Sequence, residues 1–237
     1  KVVVASKDLS QDGISILKKN GIKVEESPKT IREEAEKLNR GFFKRIKSER
    51  PFVTCKIGMS LDGGIALETG ESKWITSEDS RKDVHQLRAE SDAILTGIGT
   101  IIKDDPKLTS RDIKIKKFNQ PIRCVIDGKN RIIGTENIVD GKVKTIIFCK
   151  EIPRDLIPSI EYVKTRSKKN FLDLEETLKW LGNKKINSVL IESGPRIITS
   201  LLNEGLIDEF IFYIAPKILG KNRINFLDFV LKGSKLG

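Results

Sequence analysis

The run Arg50–Arg111, RPFVTCKIGMSLDGGIALETGESKWITSEDSRKDVHQLRAESDAILTGIGTIIKDDPKLTSR, decides how this chain folds. Phe52–Ile57 is a short apolar stretch between Pro51 and Gly58, the pattern of a buried strand. Asp62-Gly63-Gly64 then breaks the pattern, where a backbone must turn sharply or come close to a ligand. Thr76, with Asp79 three residues on, forms a capping box and predicts a helix through about Glu90. Ala93–Thr96 is a second strand and runs straight into Gly97-Ile98-Gly99-Thr100. A strand that leads into a glycine turn can offer backbone N–H groups to a phosphate.

Strands and helices alternate on both sides of this run. Before it come a strand at Val2–Ala5, a helix at Gln11–Asn20 stopped by Gly21, a strand at Ile22–Glu25, and a charged amphipathic helix at Thr30–Lys47. Lys47–Pro51 is polar and ends in proline, the composition of a domain junction. After it, Asp112–Gln120 reads as a polar surface loop. Ile122–Asp127, Val143–Cys149 and Ile160–Val163 read as strands, and Phe171–Leu181 as a helix with Leu174, Leu178 and Leu181 on one face. Ser188–Glu192 is a strand, followed by a helix that Pro195 opens and that buries Ile197, Ile198, Leu201 and Leu202. Glu209–Ala215 closes the series as a strand. This alternation argues an α/β fold around a largely parallel sheet.

At 237 residues, with 38% apolar and 32% charged residues, the chain has room for one large domain or two modest ones. No apolar run approaches the roughly 20 residues that a membrane helix needs, and no signal peptide is visible. Cys55, Cys124 and Cys149 each sit inside an apolar run, which suits buried thiols in a reducing compartment and makes the cytoplasm the expected location. A net charge of +11 raises the question of nucleic acid. The lysines are spread along the chain, however, and no nucleic-acid signature accompanies them, so neither nucleic acid nor membrane is an expected partner. The chain begins at Lys1 and holds a single methionine, Met59, so it is expected to be part of a longer one. No His/Cys cluster and no H-x-E with P-C-x-x-C occurs, so no metal site is expected within it.

Four features suggest chemistry. The turns at Gly97–Thr100 and Gly194 each follow a strand, though neither fits G-x-G-x-x-G or the P-loop pattern, and a tight strand–helix turn is the commoner use of either. Arg81, His85 and Arg88 share one helix face that could hold a phosphate or simply face solvent. His85, the single histidine, reads as a surface or packing residue. Asp104-Asp105-Pro106 starts a turn more readily than it forms an acid–base pair. Glu192 ends the apolar strand Val189–Ile191, which is where open α/β sheets bind ligands.

From Arg50 onward the chain resembles the reductase domain of the bifunctional riboflavin-biosynthesis deaminase/reductase, a dihydrofolate-reductase-like fold. The residues that carry the resemblance are Arg50–Val53, Lys56, Ser60–Gly63, Gly70–Ile75, Leu87–Ala89, Asp92–Leu95, Gly99-Thr100, Asp104–Pro106, Leu108-Thr109 and Arg111. Further on they are Arg123, Val125–Asp127, Leu190–Glu192, Asp208-Glu209, Ala215-Pro216 and Gly220. Residues 1–49 resemble the end of a deaminase domain, through Glu34-Ala35, Leu38-Asn39 and Phe42-Phe43, and residues 50–237 the reductase. The zinc-binding part of such a deaminase would precede Lys1.

The resemblance implies NADPH as cofactor and hydride transfer to ribose C1′ of 5-amino-6-(5-phosphoribosylamino)uracil, opening the sugar to its ribitylamino form. It also implies a phosphoribosylamino-pyrimidine substrate and a homo-oligomer. Matched position by position, Gly58, Trp74, Thr100, Asp104, Gly128 and the turn Gly194, Pro195, Arg196, Ile197, Ile198, Thr199 and Ser200 look like the cofactor contacts. Ser72, Arg88, Leu108, Arg111 and Glu192 look like the substrate contacts, with Arg88 and Arg111 as phosphate clamps. Asp104 and Glu192 look like the catalytic pair. Ser193 departs from the pattern, since family members often carry two glycines after the glutamate. Two readings compete: a related reductase of another pteridine or pyrimidine, and a basic nucleic-acid-binding module.

Overall fold

The computed structural model describes residues 1–8, 10–113, 118–168 and 171–227, and it divides into two units. The first holds Lys1–Phe52 and also gathers Lys179–Asn187 from far downstream. Strands β1 (Val2–Val4) and β2 (Val24–Glu26) pair in parallel, joined by helix α1 (Gly13–Lys19). Asp12 caps α1 by accepting the Ser15 N–H at 3.3 Å. The single helix expected at Thr30–Lys47 is instead two, α2 (Lys29–Leu38) and α3 (Arg40–Ser48). Between them the Asn39 amide donates back to the Ala35 carbonyl at 2.9 Å, a side-chain bond that competes with helix continuation. Arg45 Nε donates to Asn187 Oδ1 at 2.7 Å, and a Cβ on Gly182 would clash with the Glu49 carbonyl.

The second unit is Val53–Leu178 with Ser188–Gly237. Its elements run β3 (Phe52–Ser60), β4 (Gly64–Leu67), α4 (Glu78–Ala89), β5 (Ala93–Gly97), α5 (Ile98–Asp104), β6 (Ile122–Ile126), β7 (Thr145–Cys149) and β8 (Ile160–Lys164). There follow β9 (Ser167–Lys168), β10 (Phe171–Leu172), α6 (Leu174–Asn183, counted with the first unit from Lys179 on), β11 (Ser188–Ile191), α7 (Pro195–Asn203), β12 (Glu209–Ala215) and β13 (Arg223–Asn225). The central sheet is seven-stranded and mostly parallel, in the order β12-β3-β11-β5-β6-β7-β8. The α/β architecture read from the alternation of elements is therefore the one observed.

Burial explains which residues form these strands. In β3, Val53, Cys55 and Ile57 are buried while Thr54, Lys56 and Gly58 line the other face. Every residue of β5 and β7 is buried, as suits inner strands of a parallel sheet covered on both faces. Ile94, Ile101, Leu108, Val125, Ile138, Ile147 and Leu190 pack into one core on one side. All three cysteines are buried and unpaired.

Two further local expectations change, and a third is narrowed to one of its two alternatives. Ser77, not Thr76, caps α4, accepting the Ser80 N–H at 3.2 Å. Phe171-Leu172 is strand, and α6 starts at Leu174, because the Asp173 carboxylate caps it through the Glu176 N–H at 3.0 Å. The break at Asp62-Gly63-Gly64 serves the chain itself. Asp62 accepts from the Ser60 hydroxyl at 2.6 Å and from the N–H groups of Leu219 and Gly220 at 3.1 and 2.9 Å. These bonds, the Ser60 hydroxyl first, hold its carboxyl down at about 2 and anchor the segment that leads into β13, which pairs with β4. Part of the loop expected at Asp112–Gln120 lies outside the described residues. Among the described residues no helix is long and apolar enough to cross a membrane.

Candidate active site

Strand order brings three ends together. The chain runs from β3 through α4 to β5, yet β11 lies between those two strands. Glu192 follows β11 directly, with its N–H on the Leu95 carbonyl of β5 at 3.0 Å. Its side chain is 9% exposed, and two cations hold it. Arg88 of α4 grips it as a fork, Nε to Oε1 at 2.6 Å and a terminal nitrogen to Oε2 at 3.1 Å. Lys56 Nζ of β3 stands 3.1 Å from Oε2. Burial pushes the Glu192 carboxyl up, but Lys56 and Arg88 outweigh it and hold the group at about 2. Two cations against one carboxylate leave this spot with a surplus of positive charge.

The same cluster reaches the segment after α5. The other terminal nitrogen of Arg88 donates to the Thr109 carbonyl at 3.0 Å, and His85 Nδ1 lies 3.1 Å from that oxygen. The Ser110 hydroxyl donates to the His85 carbonyl. Burial, then the charges of Arg88 and Arg111, push the His85 pKa down. A neutral ring donating from Nδ1 fits these contacts. Leu108 is buried with a positive φ of 48°, and the fully buried Arg123 donates to the Lys107 carbonyl at 3.4 Å. Leu108 and Thr109 are thus held against α4 and the core. Arg111 is exposed and close enough to His85 to weigh on its titration.

A second group of residues is built from backbone rather than charge. Gly97 caps α5, and a Cβ there would lie 2.7 Å from Ile197 Cδ1 and 3.4 Å from Ser193 Oγ. The Gly97 and Gly194 turns are therefore neighbours. Gly194 caps α7 and makes no side-chain cap bond, and a helix start leaves backbone N–H donors without intrahelical partners. A Cβ on Gly99 or Gly194 would meet nothing within 4 Å. Thr100 and Ser200 are half-buried and Arg196 is exposed, whereas Ile198 and Thr199 turn into the protein. Ile198 can thus meet a ligand only through its backbone.

The remaining sequence-derived residues lie as follows. Gly58 faces Thr76, whose Cγ2 would stand 3.2 Å from a Cβ there, and pairs in register with Tyr213. The Tyr213 hydroxyl donates to Asp83 of α4 at 2.5 Å, and burial, then Asp83, raises its pKa. Trp74 is 62% exposed, with the Arg81 guanidinium 4.2 Å over its ring and its carbonyl accepting from Lys217 at 2.8 Å. Ser72 is half-buried in the turn before α4. Asp104 is the last residue of α5, and Gly128 follows β6 beside Leu172. Among the described residues no hydrogen bond or ion pair joins Ser72, Trp74, Asp104 or Gly128 to the Glu192 cluster.

The structure thus unites Arg88 with Glu192, and the Gly97 turn with the Gly194 turn. It adds Lys56, which the residue-by-residue reading passed over although it is the one charged residue in the strand FVTCKIGMS. It also adds the Thr109 carbonyl, a backbone group with no signature in sequence. No group of three His, Cys, Asp or Glu able to hold a metal ion occurs among the described residues.

Comparison with known proteins decides the family. The model of the RibD C-terminal domain matches residues 51–230. The chain belongs to the RibD C-terminal domain family. It is 40% identical over 221 residues to the riboflavin biosynthesis protein RibD of Escherichia coli, a match that covers 89% of this chain and 60% of that protein. It is 38% identical over 165 residues to a 5-amino-6-(5-phosphoribosylamino)uracil reductase of Buchnera aphidicola, covering 65% of this chain and 80% of that one. Among solved structures it resembles a Thermotoga maritima diaminohydroxyphosphoribosylaminopyrimidine deaminase/5-amino-6-(5-phosphoribosylamino)uracil reductase. That likeness has a TM-score of 0.83 at 29% identity and covers 99% of this chain and 65% of that one. The chain spans about 60% of the E. coli relative's length. The family match starts one residue after Arg50, where the resemblance of the sequence begins.

Proposed function

We propose that this chain is the reductase part of a riboflavin-biosynthesis enzyme and acts on 5-amino-6-(5-phosphoribosylamino)uracil with NADPH. The observation that carries this reading is the Glu192 carboxylate, buried and ionised between Lys56 and Arg88 at the carboxyl end of β11. A pyrimidine that carries a sugar phosphate offers ring N–H groups to a carboxylate and an anion to surplus cations. The Buchnera relative of that name, covered over 80% of its length, supports the same substrate.

The cofactor fits the glycine turns. Beyond Gly99 and Gly194 the space is open, the start of α7 has no side-chain cap, and Gly97 lets α5 and α7 approach closely. Gly97–Thr100 and Gly194–Ser200 would hold it, with Gly58, Trp74, Asp104 and Gly128 as further contacts. When bound, NADPH supplies the hydride. In the balanced reaction C1′–H forms, the bond from C1′ to the ring oxygen breaks, and that oxygen leaves as a hydroxyl after taking one proton. Glu192 accepts from the pyrimidine, Arg88 keeps Glu192 in place, and the Lys56 ammonium can give the proton. Arg111, with Ser72 and the backbone at Leu108, faces the sugar phosphate.

The first unit is read as the end of a deaminase domain, which the coverage of 99% of this chain by the Thermotoga deaminase/reductase supports. A homo-oligomer is expected and is checked by light scattering. The test of the function is NADPH oxidation by the purified chain with the deaminated pyrimidine. Turnover on that substrate but not on dihydrofolate is the expected result. Turnover on dihydrofolate alone would favour a pteridine reductase, and no turnover on either would overturn the reading.

A further inference from the structure

Arg81, His85 and Arg88 share one face of α4. Arg88 grips Glu192, and His85 lies against the Thr109 carbonyl. Arg81, one turn nearer the helix start, reaches instead to the segment before α4. One of its terminal nitrogens donates to the Thr76 carbonyl at 2.8 Å, and its guanidinium lies 4.2 Å over the ring of Trp74. An arginine beside Glu78 and Asp79 on an open helix face would ordinarily pair with them. Here Lys82 takes both, at 3.0 and 3.8 Å, and Arg81 forms no ion pair of its own among the described residues. The guanidinium keeps its plane for the indole.

Other contacts fix the backbone that carries Trp74. The Ile75 N–H donates to the Ser72 carbonyl at 3.2 Å and closes a turn over Ser72–Ile75. Lys217, after β12, donates to the Trp74 carbonyl at 2.8 Å. Thr76 lies against Gly58 of β3, where a Cβ would stand 3.2 Å from its Cγ2. The Trp74 side chain itself is 62% exposed. An indole left this open has little packing to fix its rotamer, and the guanidinium on its face supplies what packing does not.

The place of this clamp in the sheet ties it to the site. Gly58 lies two residues beyond Lys56 on the same face of β3, roughly 7 Å along the strand. β11, which leads to Glu192, stands between β3 and β5, which leads to the Gly97 turn. A dinucleotide with its phosphates on the Gly97 and Gly194 turns and its reactive end toward Glu192 brings that end to the Trp74 side.

We propose that Arg81 is a positioning residue for the cofactor: it holds the Trp74 indole at the angle at which the open part of the ring meets the nicotinamide end of NADPH. This role rests on the cofactor reading of Trp74 given above. Arg81 touches no ligand and acts through the indole. A guanidinium suits the task better than an ammonium, because its flat face can lie on a ring while its edge donates in plane to Thr76.

Wild type, Arg81→Met, Trp74→Leu and the double variant decide the matter. Methionine keeps an unbranched apolar stem and loses the charge and the donors. Arg81 is half-buried and Trp74 exposed, both outside the core, so these variants are expected to fold. In calorimetric titration NADPH should bind each single variant about tenfold more weakly than wild type. The double variant should bind it no more weakly than Trp74→Leu does. Near-ultraviolet circular dichroism of the ligand-free protein should lose in Arg81→Met the band that Trp74→Leu removes. Arg81→Lys, which restores a charge over the ring, should recover part of the band and of the affinity. Losses that add in the double variant would make Arg81 a direct ligand contact and overturn the proposal, as would an effect confined to the KM of the pyrimidine. If Trp74→Leu weakens NADPH binding and Arg81→Met does not, the cofactor contact of Trp74 stands and the role of Arg81 alone falls. If Trp74→Leu leaves NADPH binding unchanged, the cofactor reading of Trp74 is wrong and the role of Arg81 falls with it.

Discussion

The two halves of the candidate site are made from different materials. The half at β3, α4 and β11 is charge on charge: Lys56 and Arg88 each stand within 3.1 Å of the Glu192 carboxylate, nearly out of water. The half at α5 and α7 is bare backbone, with glycines where other residues would carry side chains. The first half is held whether or not a ligand is present, since each charge already has a partner. The second starts α7 without a side-chain cap bond. The difference teaches where stability and binding are coupled. Changes in the charged half should damage the fold and the site together, and changes in the glycine half should reach ligand affinity with little effect on the fold.

Glu192→Gln is the largest test of that contrast. It removes the one anion between two buried cations, and the cost of unpaired buried charge is about 3–5 kcal/mol. Urea unfolding should show that loss, together with a fall in kcat/KM of at least about 100-fold. Full stability in this variant would mean that the cluster is more solvated than its 9% exposed carboxylate implies.

Acid should act through the same carboxylate. Its folded pKa, about 2, lies below the unfolded value of about 4.3. The unfolded chain therefore binds more protons between these limits, and folding is favoured as pH rises. The contribution, roughly 3 kcal/mol, is complete above about pH 5 and is lost as pH falls through 4.3 toward 2. The lowered pKa of His85 works in the same direction, because a folded state that disfavours the charged ring loses stability as pH falls below the ordinary value. Unfolding free energies between pH 3 and 7 should slope accordingly, and less so in Glu192→Gln.

A milder probe keeps the charge and removes the fork. Arg88→Lys should raise the KM of the pyrimidine about tenfold, because a point charge cannot hold Glu192 and the Thr109 carbonyl at once. The KM for NADPH should not move. A change in both would mean that the two halves are coupled.

Gly194→Ala is the counterpart on the backbone side and has the smallest effect on stability. The residue has a negative φ of −76° and open space where a Cβ would stand, so unfolding free energy should change by less than about 0.5 kcal/mol. The same methyl group would stand in the path of a phosphate, and the KM for NADPH should rise about tenfold. An unaltered KM would remove the Gly194 turn from the cofactor site.

The legibility of the molecule in its sequence follows the same division. Apolar periodicity located β5, β11, β12 and α7, because their burial is a local pattern. Glu192 was visible as a carboxylate ending an apolar strand. Lys56 was not read as its partner, because the contact joins residues 136 positions apart, and residue spacing carries no such information. The pairing of β4 with β13 and the return of Lys179–Asn187 to the first unit were hidden for the same reason. The split at Asn39 was legible in principle, since asparagine inside a charged helix competes for backbone carbonyls. The roles of Ser72, Trp74 and Asp104 came from resemblance alone, and each stands apart from the charged cluster in the contacts described.

The central claim is that the charged half recognises a phosphoribosylamino-pyrimidine while the glycine half holds NADPH. NADPH oxidation, followed in parallel with the deaminated and the undeaminated pyrimidine, tests it most directly. The account predicts steady turnover on the deaminated substrate that Glu192→Gln abolishes and Gly194→Ala slows only at low NADPH. Equal turnover in the wild type and in Glu192→Gln would contradict it.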